Sequence, residues 1–261
     1  MAQHQRKHYR RRGHLRFGRL YGLLSALVIL AAIIVGCIVF FRVNTVEVVG
    51  NTRYTQEEIV ETAGIEYGSN MFLFNKFQSI DALLQNLTYV ESVSIRRSMP
   101  STIRITVEEC SVAAALEDPN GNGWWLVNTN GKLLELVDSS DGYMTVTGLA
   151  LLTPTAGQNI TVEETQRLQR DALLALLPAL ESRALIANTQ NIDLSSPSQV
   201  LLLHDGRLTV KIDLNADFDY EIRVLATVME EYVDTKWSAT DSGTLDLTNE
   251  DGRPHLIRNA Q

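Results

Sequence analysis

The chain has 261 residues, and its formal net charge of −8 combines two oppositely charged parts. Seven Lys/Arg and no acid precede residue 20, whereas residues 42–261 hold 16 Lys/Arg against 31 Asp/Glu. The acidic larger part argues against binding to nucleic acid or other polyanions. A basic tail of 19 residues is too short to form a domain, and contact with anionic lipid headgroups explains its charge.

Residues 20–41 form an uncharged apolar run directly after the basic tail. At about 1.5 Å per residue, a helix of this length spans roughly 33 Å, enough to cross a hydrocarbon core of about 30 Å. The basic excess predicts that the N-terminus stays in the cytoplasm and that the body after Arg42 lies outside. The basic residues are Arg6, Lys7, Arg10, Arg11, Arg12, Arg16 and Arg19. The sequence therefore predicts a single-pass type II membrane protein.

Three other interpretations of the apolar run fit less well. A cleaved signal peptide has a shorter apolar region and a small-residue cleavage site, which residues 37–41 do not offer. A lipoprotein signal is suggested by Ile34-Val35-Gly36-Cys37, but four large apolar residues follow the cysteine; this alternative stays open. A core helix is disfavoured because the run is apolar all round and directly follows a basic block, as is typical of a segment in lipid. With Cys37 in the run, Cys110 has no partner for a disulfide and is expected to be a buried small side chain.

Residues 42–110 carry the pattern of a β-α-α-β-β domain. An alternating, β-branched strand over 43–49 precedes Thr55-Gln56-Glu57-Glu58, a capping box that begins a short helix. Ser79 is expected to cap a second helix, whose apolar side chains recur at helical spacing. Two alternating strands then follow, joined by a turn at residues 98–101.

This order and its motifs resemble a POTRA domain, in particular that of the bacterial division protein family FtsQ, called DivIB in Gram-positive organisms. The matching motifs are Val46-Glu47-Val48-Val49-Gly50-Asn51, Gly68-Ser69-Asn70-Met71-Phe72 and Val90-x-x-Val93-x-Ile95-x-Arg97-x-x-Pro100-x-x-Ile103-x-Ile105-x-Val107-Glu108. Two positions depart from the family pattern, since Glu109 stands where Arg often follows and Ser111 where Pro is usual. Any contact made by that Arg is therefore not carried over.

Residues 111–248 resemble the second domain of the same family, a larger mixed α/β unit with a mainly antiparallel sheet. Thr161-Val162-Glu163-Glu164 is expected to be a second capping box, and Pro178 to kink or end the helix that follows. Asn215 is expected to cap a last helix before a closing strand over 243–248. The predicted fold class is α+β, with domains at 1–19 (cytoplasmic tail), 20–41 (transmembrane helix), 42–110 (POTRA), 111–248 (β domain) and 249–261 (irregular tail).

The sequence contains no motif for catalysis, cofactor binding or metal binding, and we expect no enzyme. His204 and His255 have no Cys pair or HExxH near them, and His204 is expected at a solvent-facing strand end. Trp124-Trp125 raises carbohydrate binding as an alternative, but neighbouring rings on a strand point to opposite faces.

The closing strand is the candidate binding site. An unpaired edge strand can accept a strand from another chain; coverage of this strand by the tail is the alternative. The resemblance implies that FtsL-like and FtsB/DivIC-like proteins bind here and that other division proteins dock on the POTRA domain. The candidate residues are Thr244, Leu245, Asp246, Leu247 and Thr248, with Pro254 and His255 as further candidates.

The resemblance implies a non-enzymatic scaffold at the division septum that helps control septal peptidoglycan synthesis. A membrane-anchored POTRA-type chaperone or secretion component is the alternative, and a surface-anchored enzyme with a scattered site is a third hypothesis. Localisation at midcell distinguishes the first from the second.

Overall fold

The structure, a computed structural model, describes residues 17–238, 240–248 and 253–259. The basic residues from Arg6 to Arg16 lie outside this described part. Helix α1, Phe17–Phe40, covers the predicted apolar run. Its segment Tyr21–Phe40 has a mean hydropathy of 3.1, and none of that segment is buried inside the protein. A long apolar helix that the rest of the chain leaves uncovered is typical of a membrane anchor and not of a core helix.

The predicted β-α-α-β-β order is confirmed. Its elements are strand β1, Thr45–Val49, helices α2, Gln56–Thr62, and α3, Lys76–Asn86, and strands β2, Val90–Ser98, and β3, Thr102–Glu109. The sheet order is β1-β3-β2, with β1 parallel and β2 antiparallel to β3. Side chains that alternate along β3 point into a core shared with both helices, which includes Ile59, Leu83, Ile103 and Ile105.

The two helices of this domain begin at different kinds of cap. The capping box at Thr55 is present, with reciprocal bonds between Thr55 and Glu58. The expected cap at Ser79 is wrong, because α3 begins one turn earlier at Asn75, whose side chain accepts from the amides of Phe77 and Gln78. Ser79 is instead buried and donates to the carbonyl of Ala63.

In its described residues the second domain contains one sheet of nine strands. These are β4, Ala114–Glu117; β5, Trp124–Val127; β6, Leu133–Val137; β7, Thr145–Thr147; β8, Thr189–Asp193; β9, Gln199–His204; β10, Leu208–Asp213; β11, Gly243–Asp246; and β12, His255–Arg258. The order is β12-β11-β10-β9-β8-β7-β4-β5-β6. The pairs β10–β11, β4–β7 and β7–β8 are parallel and the others are antiparallel.

Two helices supply most of the apolar cover of this sheet. They are α4, Arg167–Ser182, and α5, Phe218–Val228, which continues as a π-helical turn, Met229–Val233, and a short α6, Asp234–Lys236. Their buried side chains join those of the strands in one core. The capping box expected at Thr161 is wrong, because its hydroxyl donates to the carbonyl of Leu152 at 2.8 Å and α4 begins later.

Pro178 lies inside α4, which continues to Ser182, so the proline does not end the helix. Two further expectations for this domain need correction. The cap of α5 is Asp217 and not Asn215, since the Asp217 carboxylate accepts from the amide of Tyr220. His204 is 1% exposed rather than solvent-facing, and its Nδ1 lies 3.0 Å from Thr189 Oγ1. Burial lowers the pKa of His204.

Polar and apolar contacts join the POTRA domain to the second domain. Tyr89 is 5% exposed, and its hydroxyl donates to Glu135 Oε1 at 2.5 Å. The Arg53 guanidinium lies 3.8 Å from the centroid of the Tyr89 ring and pairs with the same Glu135 oxygen at 3.0 Å. Tyr89 also packs in a cluster with Ala115, Leu126 and Leu134 of the second domain.

Candidate partner-binding surface

Strand β11, expected to be the open edge of the sheet, has a neighbour on each side. It pairs with β10 in parallel and with β12 in antiparallel register, with Leu245 opposite Leu256. The expectation of an unpaired edge over 243–248 is therefore wrong, as is that of an irregular tail. Residues 255–258 run antiparallel to the strand, cover it and satisfy its backbone groups on that side.

The candidate residues of β11 lie at different depths. Leu245 is fully buried and belongs to the core, so it cannot contact a partner in the folded chain. Thr244, Asp246, Leu247 and Thr248 are half-buried. Hydrogen bonds from the hydroxyl and the amide of Thr248 hold the pKa of Asp246 below its ordinary value. The Asp246 carboxylate thus fastens the end of β11.

Strand β12 holds the more exposed candidate residues. Pro254 and His255 are exposed, Leu256 is half-buried against the core, and Ile257 is 59% exposed. Arg258 binds Asp241, which is only 5% exposed, at 2.5 Å. Hydrogen bonds from Arg258 and from Ser238 lower the pKa of Asp241. This ion pair fastens the C-terminal end of β12 to the segment before β11.

The backbone of β12 offers hydrogen-bonding groups on its outer side. The amide of Asn259 donates inward to the carbonyl of Ser242 at 2.9 Å. Because inward and outward groups alternate along an antiparallel strand, Ile257 also pairs inward, whereas the N–H and C=O of Leu256 and Arg258 point outward. Within the described residues no strand pairs with this outer side. Among the described residues β12 is therefore the open edge at this end of the sheet, and β6 is the terminal strand at the other end.

Residues 41–109 match the family model described as "POTRA domain, FtsQ-type". The chain is 29% identical over 103 residues to cell division protein DivIB of Clostridium acetobutylicum, covering 40% of each chain. It is 26% identical over 127 residues to cell division protein FtsQ of Corynebacterium glutamicum, covering 49% of this chain and 56% of the relative. It is 29% identical over 93 residues to cell division protein DivIB of Bacillus subtilis, covering 36% of this chain and 35% of the relative.

Residues 41–109 of this chain are similar to the FtsQ-type POTRA domain, and the relatives it resembles are cell division proteins. The match covers about half or less of the length of these curated relatives.

Sequence reasoning about this surface missed Leu256, Ile257 and Arg258. The signal available was weak, since only two adjacent apolar residues stand between His255 and Arg258. A four-residue strand provides too few positions for a period of two to be recognised. What makes it a strand is its pairing with β11, which is a tertiary contact.

Other candidate chemistry in the described ranges gives no competing site. Within residues 17–238, 240–248 and 253–259, no group of three or more His, Cys, Asp or Glu could hold a metal ion. Trp125 is buried and its Nε1 donates to Asp118 at 2.9 Å, while Trp124 is half-buried. The two rings lie on opposite faces of β5 and form no shared platform for a sugar. Burial raises the pKa of the Cys110 thiol, which disfavours its reactive thiolate form.

Proposed function

We propose that this chain is a non-enzymatic scaffold of bacterial cell division, anchored in the cell membrane at the septum. In this proposal the N-terminus lies in the cytoplasm, and the body outside binds FtsL-like and FtsB/DivIC-like proteins and helps control septal peptidoglycan synthesis. The names of its relatives, cell division proteins DivIB and FtsQ, support the division role. The apolar helix α1 supports the anchor.

The open edge of β12 is the observation that carries the proposed mode of capture. A segment of the partner would add a tenth strand beside β12 through the outward groups of Leu256 and Arg258. Backbone pairing supplies affinity in this mode, and side chains beside the new strand supply selectivity. Ile257 and His255 share one face of the sheet with Thr244 and Asp246, because these residues lie opposite one another in the β11–β12 register.

The side-chain contacts expected for β11 follow from this placement. Thr244 and Asp246 lie one strand inward from the edge, about 4.8 Å farther from the partner than the residues of β12. They therefore contribute through long side chains of the partner or by supporting Ile257 and His255. Leu245 supports β12 from the core and makes no contact with the partner.

Two substitutions at one position test whether backbone pairing captures the partner. Arg258→Ala and Arg258→Pro both remove the ion pair with Asp241, but only proline removes the outward N–H. We expect Arg258→Pro to weaken co-purification of FtsL-like and DivIC-like partners at least tenfold relative to Arg258→Ala. Exchange of the Ile257 amide checks that β12 still pairs with β11 in both variants. If the two variants captured these partners equally well, the result would contradict the strand-addition mode.

Localisation and depletion test the division role separately from the edge. A fluorescent fusion at midcell and filamentous cells after depletion are the expected results. Uniform membrane signal with normal cell length would instead favour a chaperone or secretion role.

A further inference from the structure

Three large apolar side chains of the POTRA domain are exposed near the end of α1. Phe72, Leu73 and Phe77 are 49%, 82% and 67% exposed. They lie on the segment between α2 and α3 and on the first turn of α3, and we refer to these three residues as the interhelix patch. Met71, directly before them, is fully buried in the POTRA core and holds the segment in place. Clustered exposure of this kind marks a contact surface more often than scattered apolar residues do.

Direct contacts join Phe72 and the two residues before it to Ile38 in the last turn of α1 and to Phe41, which follows that helix. The Asn70 side chain donates to the carbonyl of Ile38 at 3.3 Å, and the amide of Met71 donates to the carbonyl of Phe41 at 3.0 Å. The Phe72 ring meets the Phe41 ring edge to face, with centroids 5.1 Å apart. Ile38 belongs to the apolar span Tyr21–Phe40. The patch thus begins at the level of the last turn of the membrane-spanning helix.

The length of the span places that level at the bilayer surface. Twenty residues of helix extend about 30 Å, which matches the hydrocarbon core and leaves no spare turn to lift the domain away. Aromatic side chains favour the boundary between hydrocarbon and headgroups, and Lys or Arg near them can reach outward. Arg42 follows the helix, and Lys76 Nζ lies 4.9 Å from the centroid of the Phe77 ring.

We propose that the interhelix patch inserts into the interface of the same bilayer that α1 spans, on the side where α1 ends. The occupant of the patch is lipid, because the patch is continuous with the end of the anchor: the Phe72 ring packs against the Phe41 ring that follows α1. This second attachment fixes the tilt and rotation of the POTRA domain, which a single helix would leave free. It thereby sets the direction in which the second domain and β12 face. The inference does not depend on which proteins bind β12.

Spin-label accessibility on the full chain tests this contact. With Cys37→Ala and Cys110→Ala as the background, labels are attached through Leu73→Cys and Phe77→Cys. Leu168→Cys on α4 is the matched control, because Leu168 is 58% exposed and lies in the second domain. Each chain is reconstituted singly in nanodiscs of phosphatidylcholine and phosphatidylglycerol. We expect oxygen to relax the labels at 73 and 77 more than a water-soluble nickel chelate does, and the reverse at 168.

The result that overturns the proposal is nickel access at 73 and 77 equal to that at 168. Low access to both reagents also counts against it, since it means cover by protein. A second measurement uses Phe77→Trp and Leu168→Trp with lipids brominated near the headgroup. Quenching of the added fluorescence at least twofold greater at 77 supports insertion, and equal quenching contradicts it.

Discussion

Glu109 shows how one carboxylate holds a loop of the POTRA domain. Its Oε2 accepts hydrogen bonds from the amides of Thr52 at 3.1 Å and Arg53 at 2.9 Å, and also from the Thr52 hydroxyl. Its Oε1 accepts from the amide of Tyr54 at 3.3 Å. The family resemblance led us to expect an Arg at this position, and an Arg could not accept these bonds. The conformation of residues 52–54 therefore depends on the carboxylate of Glu109 in this chain.

Removing the charge of Glu109 is expected to destabilise the domain. Burial raises the pKa of Glu109, but the hydrogen bonds from residues 52–54 outweigh it, and the pKa lies below its ordinary 4.5. The stabilisation is therefore complete above about pH 4.5 and is lost as the pH falls through the lowered value. Glu109→Gln should cost about 1–3 kcal/mol at pH 7, as expected for bonds to a charged acceptor. Urea unfolding at pH 7 and pH 3.5 measures both effects.

The control for this experiment is Glu117→Gln, which changes an exposed carboxylate at the end of β4. It should shift the urea midpoint at pH 7 by much less than Glu109→Gln. A Glu109→Gln variant as stable as the parent at pH 7 would show that the loop does not need the carboxylate.

At the scale of elements, β12 is fastened at its C-terminal end by the Asp241–Arg258 ion pair. Asp241→Asn removes the charge from an acceptor that is almost fully covered. We expect the amides of Ile257 and Asn259 to exchange at least tenfold faster in this variant. Both amides donate to backbone carbonyl groups on the side of β12 that faces β11. Hydrogen–deuterium exchange with fragment resolution makes the measurement.

A matched substitution separates this effect from a general loss of charge. Asp219 pairs with Arg223 at 3.1 Å on the exposed surface of α5, with both side chains more than half exposed. Surface pairs of this kind contribute little, so Asp219→Asn should leave exchange of β12 unchanged. Since the pKa of Asp241 is lowered, protection of β12 should also fall as the pH drops below about 3.8, the ordinary value. Unchanged exchange in Asp241→Asn would contradict the fastening role.

Local signals predicted the elements better than they predicted the contacts between them. The Thr55 capping box spans four residues and was predictable, since its bonds lie within those residues. The sequence offers two candidate caps for each of two helices, Asn75 or Ser79 for α3 and Asp217 or Asn215 for α5. Tertiary packing decides the first case, because Ser79 is buried and donates to the carbonyl of Ala63. His204 is polar and ends a strand, yet the alternation of β9 turns it inward toward Thr189. The cover of β11 by β12 depends on antiparallel pairing between two strands, which no local pattern in the sequence encodes.

At the scale of the whole molecule, contacts around Tyr89 join the POTRA domain to the second domain. The aromatic ring is packed against the second domain, and its hydroxyl shares the Glu135 carboxylate with Arg53. Burial raises the pKa of Tyr89, so the hydroxyl stays protonated as a donor at neutral pH. Lys132 adds a bond from its Nζ to the carbonyl of Val90 at 3.0 Å. A joined pair of domains would pass the orientation of the POTRA domain on to the β12 edge.

Truncating Tyr89 is expected to uncouple the domains. Tyr89→Phe keeps the ring and removes one hydrogen bond, which should cost about 1–2 kcal/mol. Tyr89→Ala also removes the packed ring, and large-to-small changes of this kind cost about 3–5 kcal/mol. Calorimetry of the full chain in detergent should show one transition for the parent and for Tyr89→Phe, and two for Tyr89→Ala. A single transition in all three chains would mean that the remaining contacts, including Lys132 with Val90, are enough to join the domains.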